Sequence, residues 1–64
     1  MKADKIKVGR SVWYYPILGG SKREAAVITG GPYEMCGTTC CNINIVSSVV
    51  DIDNLEEVKG FVDL

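Results

Sequence analysis

The chain has 64 residues, enough for one domain only, and a domain of that length buries only about 60% of the surface its unfolded form exposes, so its stability is marginal. With 47% apolar residues, 23% charged and two prolines, the composition is globular rather than disordered, and no apolar run approaches the roughly 18 residues of a membrane-spanning helix. The formal net charge is −1 and there is no histidine, which removes the commonest general base and metal ligand together and argues against an enzyme.

Met1 to Lys7 is basic, but Gly9, Arg10 and Pro16 interrupt the apolar residues beyond it, so no signal-peptide core is expected. From Ile6 to Tyr14 the even positions carry Ile6, Val8, Arg10, Val12 and Tyr14, and the odd ones Lys7, Gly9, Ser11 and Trp13. This alternation predicts a strand with one buried face, bent or bulged at Gly9 and Arg10 and ended by Pro16. Residues 17–24, with Gly19, Gly20, Lys22 and Arg23, predict a mobile basic loop. Ala25 to Thr29 reads as a short strand stopped by Gly30, Gly31 and Pro32, and residues 30–38 as a second loop with Gly37 at positive φ. Thr38 to Val46 is the next strand, with Cys41, Ile43 and Ile45 on one face and Asn42 and Asn44 on the other.

Ser47 and Ser48 connect it to a strand over Val49–Ile52. Asp53 and Asn54 are turn or N-cap residues, Leu55 to Lys59 predicts one helical or 3₁₀ turn before Gly60, and Phe61 to Leu64 a last short strand. Apolar residues nowhere recur at helical spacing over more than about two turns. An all-β fold is the consequence, with a single domain over residues 1–64 that closes into a small bent barrel to hide its sheet edges. The predicted core is Val8, Val12, Tyr14, Val27, Cys41, Ile43 and Ile45, with Phe61 or Val62 closing one end.

The order Val8-Gly9, Val12-Trp13-Tyr14-Tyr15-Pro16, a Gly-rich loop, Ala25-Ala26-Val27-Ile28-Thr29, a second loop and Cys41-Asn42-Ile43-Asn44-Ile45-Val46 resembles small SH3-like barrel proteins encoded by bacteriophages and prophages. The resemblance covers roughly residues 8–46. It implies an SH3-like barrel of about five short strands and a phage-encoded protein working in the host cytoplasm. It brings no catalytic residue.

Four features bear on chemistry. Cys36, Cys40 and Cys41 lie in one stretch, MCGTTCC; three thiols without histidine do not match the spacing of a structural zinc site, and an odd count without a signal peptide argues against a secreted disulfide framework. Reduced structural thiols are expected, with a Cys36–Cys40 bridge as the alternative under oxidising conditions. Asp51, Asp53, Glu56, Glu57 and Asp63 read as a solvated acidic face rather than an acid–base pair, and Asp51-Ile52-Asp53-Asn54 lacks the glycine and distal Glu of a calcium loop. Gly30-Gly31-Pro32 and Gly19-Gly20-Ser21-Lys22 lack the dinucleotide and Walker fingerprints. No metal, no cofactor and no membrane association is expected.

Charge is segregated along the chain: residues 1–24 carry +4 and residues 25–64 carry −5. Three outcomes are open. The two halves neutralise each other inside the fold, with Lys5 and Lys7 against the acidic tail. They steer association with a protein partner or a second copy. Or the basic half binds single-stranded nucleic acid by phosphate contacts and base stacking. The candidate surface is an aromatic–basic patch of Trp13, Tyr15, Lys7, Lys22 and Arg23, since Trp13 and Tyr15 point away from Val12 and Tyr14. The expected role is a non-enzymatic interaction or structural module binding a protein or itself, with single-stranded nucleic-acid binding as the alternative.

Overall fold

The computed structural model describes residues 1–58. Five antiparallel strands form one sheet: β1 (Ser11–Tyr14), β2 (Glu24–Met35), β3 (Thr38–Ile43), β4 (Val50–Asp51) and β5 (Leu55–Glu57), in the order β4-β3-β2-β1-β5. Two 3₁₀ turns, Ala3–Lys5 and Ile52–Asn54, complete the described elements, and there is no α-helix among them. The fold is thus mostly β, as the alternation predicts. The strand and core predicted at Phe61–Leu64 lie outside the described residues.

The connection between the two edge strands shapes the sheet. Laid flat, five strands would hold β4 and β5 roughly 19 Å apart. Only Ile52–Asn54 joins them, and a 3₁₀ segment rises about 2 Å per residue. The sheet therefore curls until its edges approach, which gives a barrel-like fold. The Asp51 carboxylate caps the joining turn by accepting from the Asp53 backbone N–H at 2.8 Å. The turn thus falls earlier than Leu55–Lys59, and Leu55–Glu57 is strand, because Asp51 rather than Asp53 or Asn54 is the cap.

The bend is made in β2. Its first part pairs with β1 in unbroken register from Ser11↔Val27 to Tyr14↔Glu24, and its second part pairs with β3, with register shifts on either side of Gly30. Gly30, Gly31 and Pro32 do not stop the strand; they bulge it and carry it from one half of the sheet to the other. Gly31 has φ +105, and an added Cβ would lie 2.8 Å from the Cys41 Cβ, so only glycine fits there. Instead of a loop over residues 30–38, β2 and β3 form a hairpin whose two turn residues, Cys36 and Gly37, both have positive φ (+52 and +77). That is the primed turn that two-residue hairpins require, with Cys36 in the place more often taken by Asn or Asp.

The core gathers Ile6, Val12, Ala26, Ile28, Cys41, Ile43, Val50, Ile52 and Leu55, with Met1, Tyr14 and Val46 packed against it. Val12, Cys41 and Ile43 occupy it as expected. Val8 does not: it is 69% exposed, because β1 starts only at Ser11 and Val8 sits in a turn closed by Arg10 N–H to Lys7 O. Ile6 takes the buried place. Val27 is half-buried on the outer face, beside Ala26 and Ile28 on the inner one. Ile45 is 43% exposed, since β3 ends at Ile43 and Asn44 turns away; Asn44 bonds Val27 twice, through its N–H to the carbonyl and through Oδ1 to the amide. The alternation that holds to Ile43 is lost there, and Val46 packs on the core in place of Ile45.

Candidate functional site

The outer face of β1 and β5 carries a linked set of side chains. Trp13 stands opposite Glu56 on β5 and Ala25 on β2. The Arg23 guanidinium lies over the Trp13 ring, 4.1 Å from its centroid, a cation–π contact. Glu56 Oε1 accepts from the Tyr15 hydroxyl at 3.3 Å and pairs with Arg23 at 3.7 Å. Tyr15 itself is anchored through its backbone, donating N–H to Asn54 O and accepting from Asn54 Nδ2. Trp13 and Tyr15 are half-buried and Arg23 is exposed, so the aromatic rings reach solvent past a clamp of opposite charges.

Of the five residues predicted to form the patch, the fold brings together Trp13, Tyr15 and Arg23. Lys22 is exposed beside Arg23 in the chain. Lys7 lies elsewhere: its turn bonds Ile28 through Gly9 N–H, four residues along β2 from Glu24, or about 13 Å away. The residue that sequence reasoning left out of the site is Glu56, assigned to a helical turn. Once Leu55–Glu57 is a strand beside β1, its carboxylate necessarily faces the Trp13 side.

The same ladder recombines the segregated charges. Besides Arg23–Glu56, Arg10 pairs with Glu57 at 3.0 Å, so basic residues from the first half meet acidic ones from the second across β1 and β5. The partners are Arg10 and Arg23, whereas Lys2, Lys5, Lys7 and Lys22 have no ion pair among the described residues.

Around the edge of β5 an open cleft of about 640 Å³ is lined by Lys2 and Lys5, by Tyr15 and Leu18, and by Asp53 and the three residues of β5. Leu18 and its neighbour Ile17 are 66% and 74% exposed at the tip of a turn closed by Gly20 N–H to Ile17 O, with Gly19 at φ +81.

The thiols are all free: Cys36 exposed at the hairpin tip, Cys40 and Cys41 buried. Burial first, and the neighbouring Cys40 second, push the Cys41 thiol above its ordinary pKa, which keeps it protonated and unreactive. No group of three or more Cys, Asp or Glu side chains among the described residues is placed to hold a metal ion. No described helix is long and apolar enough to cross a membrane. Compared with known proteins, the chain matches no family model, no curated protein and no solved structure.

Proposed function

We propose that this chain is a small non-enzymatic interaction module of the SH3-like barrel type, phage-encoded and intracellular, that binds a protein partner or a second copy of itself through the outer face of β1. The observation that carries the reading is the clamped pair of aromatics. Trp13 and Tyr15 sit on the solvent side of β1, and their neighbours Arg23 and Glu56 hold them in place. A rigid Trp–Tyr–Arg surface is the typical anchor of an interface. A four-strand meander whose fifth strand returns over a 3₁₀ turn to pair with the first supports the SH3-like architecture. Three unpaired thiols suit a reducing compartment.

The alternative, single-stranded nucleic-acid binding, is less well supported. It needs several free cations beside the stacking platform, but Arg23 is engaged by Glu56 and Lys7 stands at the far end of β1, which leaves Lys22 alone there. The test has two arms. Sedimentation across a concentration series, with and without host lysate proteins, should show self-association or a captured partner that Trp13→Ala abolishes. A fluorescent oligonucleotide mixture should stay unbound at low salt. Tight, steeply salt-dependent oligonucleotide binding would replace the proposal with the alternative.

A further inference from the structure

We propose that the cleft beside β5 is a second docking site, for an extended peptide segment that carries acidic side chains around a large apolar one. The inference rests on reading the chain as an interaction module; the cleft shares Tyr15 and Glu56 with the Trp13 face but does not include Trp13 itself.

The charges are the first reason. Lys2 and Lys5 line the cleft, are exposed and have no ion pair among the described residues. The lining glutamates are already engaged, Glu56 by Arg23 and the Tyr15 hydroxyl, Glu57 by Arg10. Asp53 is the one lining carboxylate whose oxygens have no partner among the described residues. An incoming carboxylate therefore meets two uncompensated ammonium groups, whereas an incoming lysine meets one uncompensated carboxylate, Asp53, beside glutamates that arginines already neutralise.

The apolar rim is the second reason. Turn tips favour Gly, Asn, Asp and Ser, yet this one presents Ile17 and Leu18, held outward by the Ile17–Gly20 hydrogen bond and the positive φ of Gly19. Neither side chain serves the core. Leu18 and Tyr15 line the same cleft as Lys2 and Lys5, so apolar and cationic surface are offered to one incoming segment. Shape favours a peptide over a lipid surface: a flat bilayer meets the exposed Ile17–Leu18 tip but does not fill a cleft.

The test uses fluorescence anisotropy at low salt, with a short acetylated and amidated peptide of Leu residues set among Glu residues. A counterpart with Lys for Glu is the control. The Glu–Leu peptide should bind the parent and the Lys–Leu peptide should not. The double variant Lys2→Glu, Lys5→Glu, at two exposed positions, should weaken binding by about tenfold or more. Leu18→Ser should weaken it severalfold, and Trp13→Ala should leave it unchanged. Equal binding of the two peptides, no binding of either, or an unaffected double variant overturns the inference. So does a Leu18-dependent association with phosphatidylglycerol vesicles without peptide binding, which assigns the tip to a lipid surface. If Trp13→Ala abolishes self-association yet spares peptide binding, both proposals stand; if it abolishes peptide binding too, the cleft proposal alone fails.

Discussion

The ladder of β5, β1 and β2 and the ladder of β2, β3 and β4 share a strand but are held by different means. In the first, pairing is in unbroken register, and opposite charges bridge the ladder on both sides, Arg23 to Glu56 on the outer face and Arg10 to Glu57 on the side of Val12. In the second, register shifts twice within β2, backbones approach so closely at Gly31 that a Cβ meets Cys41, and two buried thiols fill strand positions. Surface ion pairs contribute little, typically about 0–1 kcal/mol each. Tight packing around a bulge contributes more and tolerates less. The second ladder is therefore the brittle half and the first, which carries the proposed binding surface, the adaptable one.

Gly31→Val breaks this comparison most directly. It sets a β-branched residue at φ +105 and drives its Cβ into Cys41. Strain and overpacking together should cost about 3–5 kcal/mol, most of the stability of a domain this small. Urea denaturation should find the variant largely unfolded. A variant as stable as the parent would mean that the bulge relaxes and the second ladder is not brittle. Ile43→Ala comes next. Ile43 is 2% exposed in the shared core, and its truncation should cost about 2–5 kcal/mol through lost transfer energy and a cavity.

Trp13→Ala probes the adaptable half. The ring is half-buried under Arg23, so the cost should be about 2 kcal/mol, below the roughly 3–5 of a fully buried Trp. The emission of Trp13, the sole tryptophan, should lie between the fully buried and fully solvated extremes in the monomer. A strongly blue-shifted maximum would place the ring in the interior and remove the proposed binding face.

What could be read from the sequence divides along the same line. Along β1 the alternation is undisturbed, and Val12 inside with Trp13 outside follows from period two. Along β2 the register shifts on either side of Gly30 break the pattern, and no periodicity count can see a bulge, whereas along β3 Cys41 and Ile43 face in as the alternation predicts. Gly30-Gly31-Pro32 has the composition of a stop and the role of a hinge between two ladders. Glu56 escapes sequence reasoning for a related cause. Three residues of strand carry too little pattern to be told from a turn, and only the pairing of β5 with β1 reveals the side on which the carboxylate stands.

The buried thiol of the brittle half gives that half a dependence on pH. Cys41 titrates higher in the folded protein than in the unfolded chain, because burial disfavours the thiolate. Below the unfolded thiol pKa, about 8.5, both states hold the proton and stability is unaffected. As pH rises through that value the unfolded state ionises first, so folding stability falls until the folded thiol titrates as well. Denaturation midpoints of the parent should therefore decline above about pH 8.5 more steeply than those of Cys41→Ala. Parallel declines would mean that other groups carry the alkaline loss.

The smallest expected effect is the sharpest check on where the alternation begins. Val8 and Val12 share a parity, and a single strand from Ile6 to Tyr14 would bury both. In the fold β1 starts at Ser11, the turn at Lys7–Arg10 leaves Val8 69% exposed, and Val12 is fully buried. Val8→Ser removes no packed surface, so the midpoint in urea should move by less than about 0.5 kcal/mol equivalent. Val12→Ser loses a buried side chain and places a hydroxyl among Ile28, Cys41 and the other core residues, which should cost about 2 kcal/mol or more. If the two substitutions cost the same, the N-terminal turn is not where the structure places it, and the strand runs back to Ile6. If only Val12→Ser is costly, Ile6 reaches the core by the turn rather than by the ladder, and Ile6→Ala should then be as damaging as a truncation within β1.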